Sequence, residues 1–307
     1  MKKAVVTGST GFIGKWLVEE LLNKGYCVLS TARRGSENLK LLPAHKNLRI
    51  LELNLDEIES LPDSIDEKFD VFFHLAWEGS RSAQRNNKDL QHNNYLNTLK
   101  ALHAAHKLGC DTFVSAGSQA EYGRFRNGPV DENHPEEPIS EYGISKLLAL
   151  HDCGKEAKQY GLRLLWPRIF SAYGEYDFED TFIMTCVSKM LKNESVPLSL
   201  CIQDWDFTYV KDVVEAIVLL VETPSASGVY NIASEISRPL KEFVEEIKRL
   251  TGSSSELLYG KVPYGPEGFV SFHPVVKKLM TDTGWSPATE FGQGIQYVID
   301  FYRGSLK

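Results

Sequence analysis

The sequence lacks the segments that mark membrane-spanning and disulfide-bonded proteins. No apolar run approaches the ~20 residues that span a bilayer, and the N-terminus enters a strand pattern at once, without the apolar core of a signal peptide. Cysteine is scarce: the five residues are widely spaced and form no C-x-x-C pair, which favours reduced thiols over disulfides or a zinc site. These absences predict a cytoplasmic protein.

Positive charge is also in deficit. The net formal charge of -7 over 307 residues disfavours a general surface for nucleic acid or for anionic membranes. It leaves room for a local basic pocket that holds a phosphorylated ligand, so the expected partner is a small molecule. His103 and His106 share a helical pattern without an evident third ligand, and we expect an exposed helix face and no metal site.

The chain does contain a regular alternation of short apolar runs and helix-periodic segments. Apolar runs at residues 71–75 and 113–115 alternate with helical patterns at 12–22 and 140–160. This alternation predicts right-handed βαβ units and a parallel sheet, and the continuous apolar character of the runs indicates strands buried on both faces. We therefore predict an α/β fold: a Rossmann-type doubly wound parallel sheet with a smaller C-terminal α/β substrate lobe.

The pattern loosens after Pro167, which suggests where the parts of the chain divide. Residues 1–167, with return segments near 206–233, are predicted to form the dinucleotide-binding Rossmann domain. Residues 168–205 and 234–307 are predicted to form the substrate-binding lobe. Within the return segment, Asp212 and Glu215 have the spacing of a capping box that opens a helix.

A glycine-rich segment between the first strand and the first helix predicts a dinucleotide site. Gly8 suits a tight turn, Gly11 lets a pyrophosphate approach the backbone, and Gly14 lets the helix pack closely on the strand. The helix N-terminus adds amide donors and a positive dipole end. The cofactor contacts expected here come from Gly8, Thr10, Gly11, Phe12, Ile13 and Gly14.

The end of the second strand bears on the choice between NAD and NADP. An NAD site usually has Asp or Glu there for the ribose 2′-hydroxyl, whereas this chain has Ala32 followed by Arg33 and Arg34. Guanidinium groups can form forked pairs with a 2′-phosphate. NADP(H) is therefore the preferred cofactor, with NAD(H) as the alternative if both arginines belong to a solvated turn.

Tyr142 and Lys146 are spaced as a proton-transfer pair on one helix face. A tyrosine with its ordinary pKa of ~10 is a poor base at neutral pH, but a nearby ammonium favours the phenolate and can also hold the nicotinamide ribose. Ser118 follows a predicted strand, where its hydroxyl can hydrogen-bond a substrate oxygen as charge develops. In isolation such a spacing is more typical of a surface pair; its place downstream of the glycine segment favours the catalytic interpretation.

Together these motifs resemble those of the extended short-chain dehydrogenase/reductases, also called NAD-dependent epimerase/dehydratases, in their nucleotide-sugar-modifying branch. T-G-x-x-G-x-x-G falls on residues 7–14, H-x-A on 74–76, and Y-x-x-x-K on 142–146. The late G-W-x-P signature falls on 284–287, and R-D-F-x-Y-V-x-D falls on 205–212 with Trp205 in place of arginine. The resemblance runs essentially from end to end.

By this resemblance the catalytic residues are Ser118, Tyr142 and Lys146. It implies adenine contacts at Asn54 and Leu55, although Asn replaces the usual Asp, and an asparagine at 94 that supports the active-site helix. It implies a homodimer formed through the helices that carry residues 94 and 142. The remaining residues expected at the cofactor or the substrate are Leu75, Ala76, Trp77, Gln119 and Ser171.

Three functions remain open at this stage. The first is an NADPH-dependent reductase of a nucleotide-linked 4-keto-6-deoxy sugar, with Tyr142 as the proton donor. The second is a nucleotide-sugar 4-epimerase that uses the same residues and retains NAD(P). The third, of another class, is a non-catalytic NADP-binding sensor. A 4,6-dehydratase is disfavoured, because Gln119 and Ala120 follow Ser118 where such enzymes commonly have Asp and Glu.

Overall fold

A parallel β-sheet forms the centre of the protein and confirms the predicted α/β class. The computed structural model describes residues 1–124, 128–265 and 268–305. The sheet strands are joined in the order β7-β6-β5-β4-β1-β2-β3, and every pairing along this path is parallel. Their bounds are β1 Lys3–Thr7, β2 Cys27–Ala32, β3 Leu48–Glu52, β4 Val71–His74, β5 Thr112–Ser115, β6 Arg163–Ile169 and β7 Gly228–Ile232.

Helices connect and cover these strands. The α-helices are α1 Phe12–Asn23, α2 Lys88–Lys107, α3 Glu141–Tyr160, α4 Phe182–Leu191, α5 Val210–Glu222, α6 Leu240–Thr251, α7 Lys277–Thr283 and α8 Phe291–Ser305. Short 3-10 helices span Glu37–Leu41, Leu55–Ser64, Ser82–Asn86 and Gln119–Glu121. Two-residue strands lie at Gly117–Ser118, Pro129–Val130, Ala172–Tyr173, Val196–Pro197, Asp204–Trp205, Thr208–Tyr209, Arg238–Pro239, Leu257–Leu258 and His273–Pro274. Within the described ranges, no helix combines the length and the hydrophobicity that a bilayer crossing requires.

The central strands β1 and β4 are largely apolar and buried because both faces of the sheet are covered there. Alternate side chains of one strand enter different hydrophobic clusters: Val5 packs with the α2–α3 layer, whereas Val6 packs with the α1–α5 layer. A third cluster, built from α4, α6 and α8, forms the core of the C-terminal region. Leu96 on α2 and Leu148 on α3 are exposed; the homodimer through these helices stays a prediction.

Pro167 does not end its strand, although the sequence pattern loosens there. Arg163 donates its backbone N–H to Asp111, and because successive residues of a strand alternate sides, Pro167 directs its nitrogen toward the same edge of β6. At that edge β5 pairs only as far as Leu165, and the short strand Gly117–Ser118 takes over at Arg168. Proline, which lacks an N–H, therefore lies where β6 forms no backbone hydrogen bond with a neighbouring strand on that side. The strand crosses the predicted division after residue 167, and that division stays a prediction.

The predicted capping box at Asp212 is wrong. Helix α5 begins at Val210, so Asp212 lies inside its first turn. The carboxylate accepts hydrogen bonds from the N–H of Thr289 at 2.9 Å and from its hydroxyl at 3.0 Å. The indole of Trp285 donates to the Asp212 carbonyl at 3.1 Å. Asp212 therefore joins α5 to the segment after the G-W-x-P motif.

Candidate active site

The glycine segment has the close packing that a dinucleotide loop requires. Gly8 has a φ of 70°, and a Cβ there would lie 2.6 Å from the backbone nitrogen of Ala76. A Cβ on Gly14 would lie 2.1 Å from the Gly8 carbonyl oxygen. Gly11 is the N-cap of α1 and contributes no side chain that would occupy the first amides of the helix. The loop therefore fits a pyrophosphate held by backbone N–H groups and the helix dipole.

The end of β4 is held against this loop by a buried histidine. His74 Nδ1 lies 2.9 Å from the hydroxyl of Thr7, and Nε2 lies 3.2 Å from that of Thr98 on α2. Burial, assisted by the charge of Lys146, lowers the pKa of His74 to about 3, so the imidazole is neutral. The Thr7 hydroxyl also lies 3.4 Å from the backbone nitrogen of Ala76. The H-x-A motif thus aligns β1, β4 and α2 below the cofactor region.

The two arginines after β2 differ in their surroundings. The Arg34 guanidinium donates to the Glu57 carboxylate at 2.6 Å, and Glu57 also forms a reciprocal capping box with Asn54 at the start of a 3-10 helix. Arg33 is exposed, and its guanidinium makes no hydrogen bond or ion pair within the described part of the chain. One of the two predicted phosphate ligands is therefore free, and the other is already paired.

The predicted catalytic pair lies on the inward face of α3. Ser140 caps this helix by accepting the Gly143 N–H at 3.2 Å. Tyr142 is 8% exposed and Lys146 is 4% exposed. A Cβ on Gly143 would lie 2.4 Å from the Ala120 carbonyl oxygen, so glycine allows α3 to pack directly on the turn after Ser118. Helix and serine turn are thereby brought together.

Burial brings the pKa of Lys146 toward neutral pH. Its Nζ donates to the Ala116 carbonyl at 2.6 Å and lies 5.9 Å from the centre of the Tyr142 ring. Desolvation lowers the pKa of Lys146 to about 7, while the charge of Glu121 acts in the opposite direction. A nearby ammonium generally favours the phenolate form of a tyrosine, and this role of Lys146 stays a prediction.

Ser118 is positioned by a buried ion pair that sequence reasoning missed. The Glu121 carboxylate accepts the Ser118 N–H at 2.7 Å and pairs with the Arg168 guanidinium at 2.6 Å, and both charged side chains are fully buried. The Ser118 hydroxyl oxygen accepts the Ala120 N–H at 3.2 Å, which leaves its own proton for a substrate oxygen. The Ser-x-x-Glu spacing of a capping box was the available signal.

Of the predicted substrate residues, two lie beside these groups. The Trp77 ring meets the Tyr142 ring edge-on at 5.8 Å. The side-chain oxygen of Gln119 is buried and has no hydrogen-bond partner within the described residues. Ser171 lies just past β6 with a φ of 21°, a strained value for a residue with a side chain. The Asn94 side chain accepts the Glu78 N–H at 3.0 Å and donates to the Glu78 carbonyl at 2.7 Å. Asn94 therefore supports the loop after β4.

Comparisons with known proteins agree with this geometry. A family model described as the NAD dependent epimerase/dehydratase family matches residues 4–233. A putative UDP-glucose 4-epimerase of Methanocaldococcus jannaschii is 29% identical, with 98% of each chain covered. A dTDP-6-deoxy-L-talose 4-dehydrogenase (NAD(+)) of Aggregatibacter actinomycetemcomitans is 31% identical, with 79% of this chain and 88% of the relative covered. The solved UDP-glucose 4-epimerase of Thermus thermophilus in complex with NAD is 25% identical, with a TM-score of 0.88 and 99% of each chain covered.

The glycine loop, the fold and these similarities converge on a nicotinamide-dependent enzyme that is related to enzymes of nucleotide sugars. The chain belongs to the NAD-dependent epimerase/dehydratase family and is an oxidoreductase or epimerase of the extended short-chain dehydrogenase/reductase type.

Proposed function

We propose that the protein is an NADPH-dependent reductase of a nucleotide-linked 4-keto-6-deoxy sugar. The observation that carries the proposal is the exposed, unpaired Arg33 after a β2 that ends in Ala32 rather than an acid. A reductase takes up a fresh reduced cofactor in each turnover, and NADPH is the usual source of hydride for reduction. The relative that acts as a 6-deoxy-L-talose 4-dehydrogenase supports redox chemistry at C4. Its name specifies NAD(+), so the argument for NADPH rests on residues 32–34.

In the proposed reaction, the bound nicotinamide supplies a hydride to the ketone carbon. The Ser118 hydroxyl donates a hydrogen bond to the ketone oxygen, where negative charge develops. Tyr142 transfers its phenolic proton to that oxygen, and the Lys146 ammonium stabilises the phenolate left behind. We assign to the buried Gln119 oxygen, which has no partner among the described residues, a hydrogen bond from a sugar hydroxyl. Because an amide does not ionise near neutral pH, residue 119 does not supply the acid that loss of water requires.

A nucleotide-sugar 4-epimerase is the second candidate, and the two UDP-glucose 4-epimerase relatives favour it. It would use the same three residues, with the hydride returned to the opposite face of the ketone. The sensor hypothesis has less support, since a protein that only binds NADP has no need of a tyrosine, a lysine and a serine assembled in this way.

The stoichiometry of NADPH separates these candidates. With a panel of UDP-, dTDP- and CDP-linked 4-keto-6-deoxy hexoses, we expect one NADPH to be oxidised for each 4-hydroxy sugar formed, measured by nicotinamide absorbance and product chromatography. The corresponding 4-hydroxy sugars serve as the matched epimerase substrates. Isomerisation of these sugars without loss of NADPH would instead establish the epimerase, and binding without either turnover would favour the sensor.

Arg33→Ala tests the cofactor assignment. We expect the KM for NADPH to rise about 10- to 100-fold, because charge-assisted hydrogen bonds contribute about 1.5–3 kcal/mol each, while the KM for NADH stays within about two-fold. Arg34→Ala should have a smaller effect, since Arg34 is already paired with Glu57. Arg49→Ala, which removes an exposed arginine paired with Glu67, is the control for net charge. A marked preference for NADH that Arg33→Ala leaves unchanged would refute the NADPH assignment.

A further inference from the structure

Trp77 is in contact with both members of the proposed catalytic pair. The Lys146 Nζ lies 3.6 Å from the centre of the indole ring. The Tyr142 ring stands at 87° to the indole with the two ring centres 5.8 Å apart. Trp77, Tyr142 and Lys146 therefore form a compact triangle, in which the face of one aromatic ring meets the ammonium and the other ring makes an edge contact.

A fully buried glutamine fixes the orientation of the indole. The Gln91 side-chain nitrogen donates to the carbonyls of Gly79 and Gln84 at 2.8 and 2.9 Å. Its oxygen is thereby directed at Trp77, whose Nε1–H donates to it at 2.8 Å. Gly79 has a φ of 68°, and a Cβ there would lie 2.5 Å from a Leu90 methyl carbon. The loop has little freedom, so the indole is held on Lys146 by a dedicated set of hydrogen bonds.

Lys146 has few other means to offset the loss of water around its charge. Of its three N–H donors, one goes to Ala116 and another faces the indole, which leaves one for a cofactor hydroxyl. The Glu121 carboxylate favours the charged form of Lys146, but it is already paired with Arg168. His74, behind the lysine, is neutral.

The phenol of Tyr142 and the Arg85 guanidinium complete the charged surroundings. Arg85 lies 4.5 Å from the centre of the Tyr142 ring, so a second cation acts on the same side of the site. The buried Lys146 ammonium needs a negative partner because desolvation disfavours its charged form. The negative face of an aromatic ring supplies such a partner, most strongly when the pair is shielded from water.

We propose that Trp77 is a positioning residue that keeps Lys146 charged beside Tyr142 through a cation–π contact, with Gln91 holding the indole in place. This inference rests on the proposed catalytic roles of Tyr142 and Lys146, and it holds for reduction and for epimerisation alike. It assigns to Trp77 an effect on the protonation of the site in addition to any contact with the sugar.

The test is the pH dependence of turnover in Trp77→Leu and Trp77→Phe. Activity requires charged Lys146, so it is present at low pH and is lost as pH rises through the pKa of the lysine. Without the aromatic face the ammonium is less stable, so the alkaline limb of kcat in Trp77→Leu should move to lower pH by about one unit. Trp77→Phe, which keeps a ring, should show a smaller shift. In both variants the loss of kcat relative to the wild type should be smaller at pH 6 than at pH 8.

Phe178→Leu is the matched control, because it removes an exposed ring that faces the Arg81 guanidinium at 3.4 Å without touching Lys146. Its pH profile should coincide with that of the wild type. Either NADPH oxidation or sugar isomerisation serves as the assay, so failure of the reductase assignment leaves this test intact. If Trp77→Leu raises only KM and its alkaline limb stays in place, Trp77 is a wall of the substrate site and the proposal is wrong. Melting temperatures close to the wild type confirm that the half-exposed Trp77 has been replaced without unfolding.

Discussion

Replacing Tyr142 with phenylalanine is expected to lower kcat by about 10²- to 10⁴-fold, the range for loss of a positioned general acid. The ring would stay in place between Trp77 and α3, since only the hydroxyl is removed. Cofactor affinity should stay within about two-fold of the wild type, because the glycine loop and Lys146 are untouched. Steady-state kinetics with the sugar that is turned over, together with a nicotinamide fluorescence titration, measure both quantities.

Tyr122→Phe is the matched control for this substitution. The Tyr122 hydroxyl donates to the side-chain oxygen of the buried Asn231 at 2.7 Å. Its loss should lower stability by about 1 kcal/mol while kcat changes only a few-fold. Turnover by Tyr142→Phe at the wild-type rate would show that another group delivers the proton.

The fold was predictable from the sequence because its signals are local. Val5 and Val6 lie on opposite faces of β1, and both are fully buried, so a strand with helices on both sides has no polar positions to interrupt its pattern. The same holds for Phe72 and Phe73 in β4. A continuous apolar run followed by a helical period therefore carries enough information to predict a doubly wound sheet.

Two features of the structure that local patterns do not reveal, the position of Pro167 within β6 and the role of Asp212, depend on partners that are distant along the chain. Pro167 is tolerated within β6 because a neighbouring strand is interrupted at that point, which no local pattern reveals. Asp212 has the spacing of a helix cap, but its carboxylate binds Thr289, which lies 77 residues further along the chain. In each case tertiary contacts override a local preference.

The candidate site divides in the same way. The glycines and the Tyr142–Lys146 spacing are local motifs, so the sequence predicts them. The ion pair of Glu121 with Arg168 and the contact of Trp77 with Lys146 join segments 47 and 69 residues apart, and they exist only once the sheet has aligned β4, β5 and β6. Motifs predict the groups that react, whereas the groups that orient them emerge from packing.

Arg168→Met should destabilise the protein by about 3–5 kcal/mol, the usual effect of leaving one charge of a buried pair without its partner. Arg168 lies between Glu121, which is fully buried, and Glu136, which is partly exposed. Loss of the guanidinium leaves the buried Glu121 carboxylate without the cation that it pairs with directly. Because that carboxylate holds the Ser118 N–H, kcat should fall as well. Urea unfolding measures the first effect and steady-state kinetics the second.

The double variant Arg168→Met, Glu121→Gln distinguishes the lost charge from lost packing. A glutamine oxygen can still accept the Ser118 N–H, and the amide has no charge to desolvate, so the double variant should be more stable than Arg168→Met alone. If the two are equally destabilised, the loss arises instead from the contact of the Arg168 guanidinium with the Tyr122 ring, whose centre lies 4.3 Å away. If the double variant recovers stability, the unpaired charge of Glu121 causes the loss in Arg168→Met. If it also recovers kcat, Ser118 requires the hydrogen bond to residue 121 and not the arginine itself.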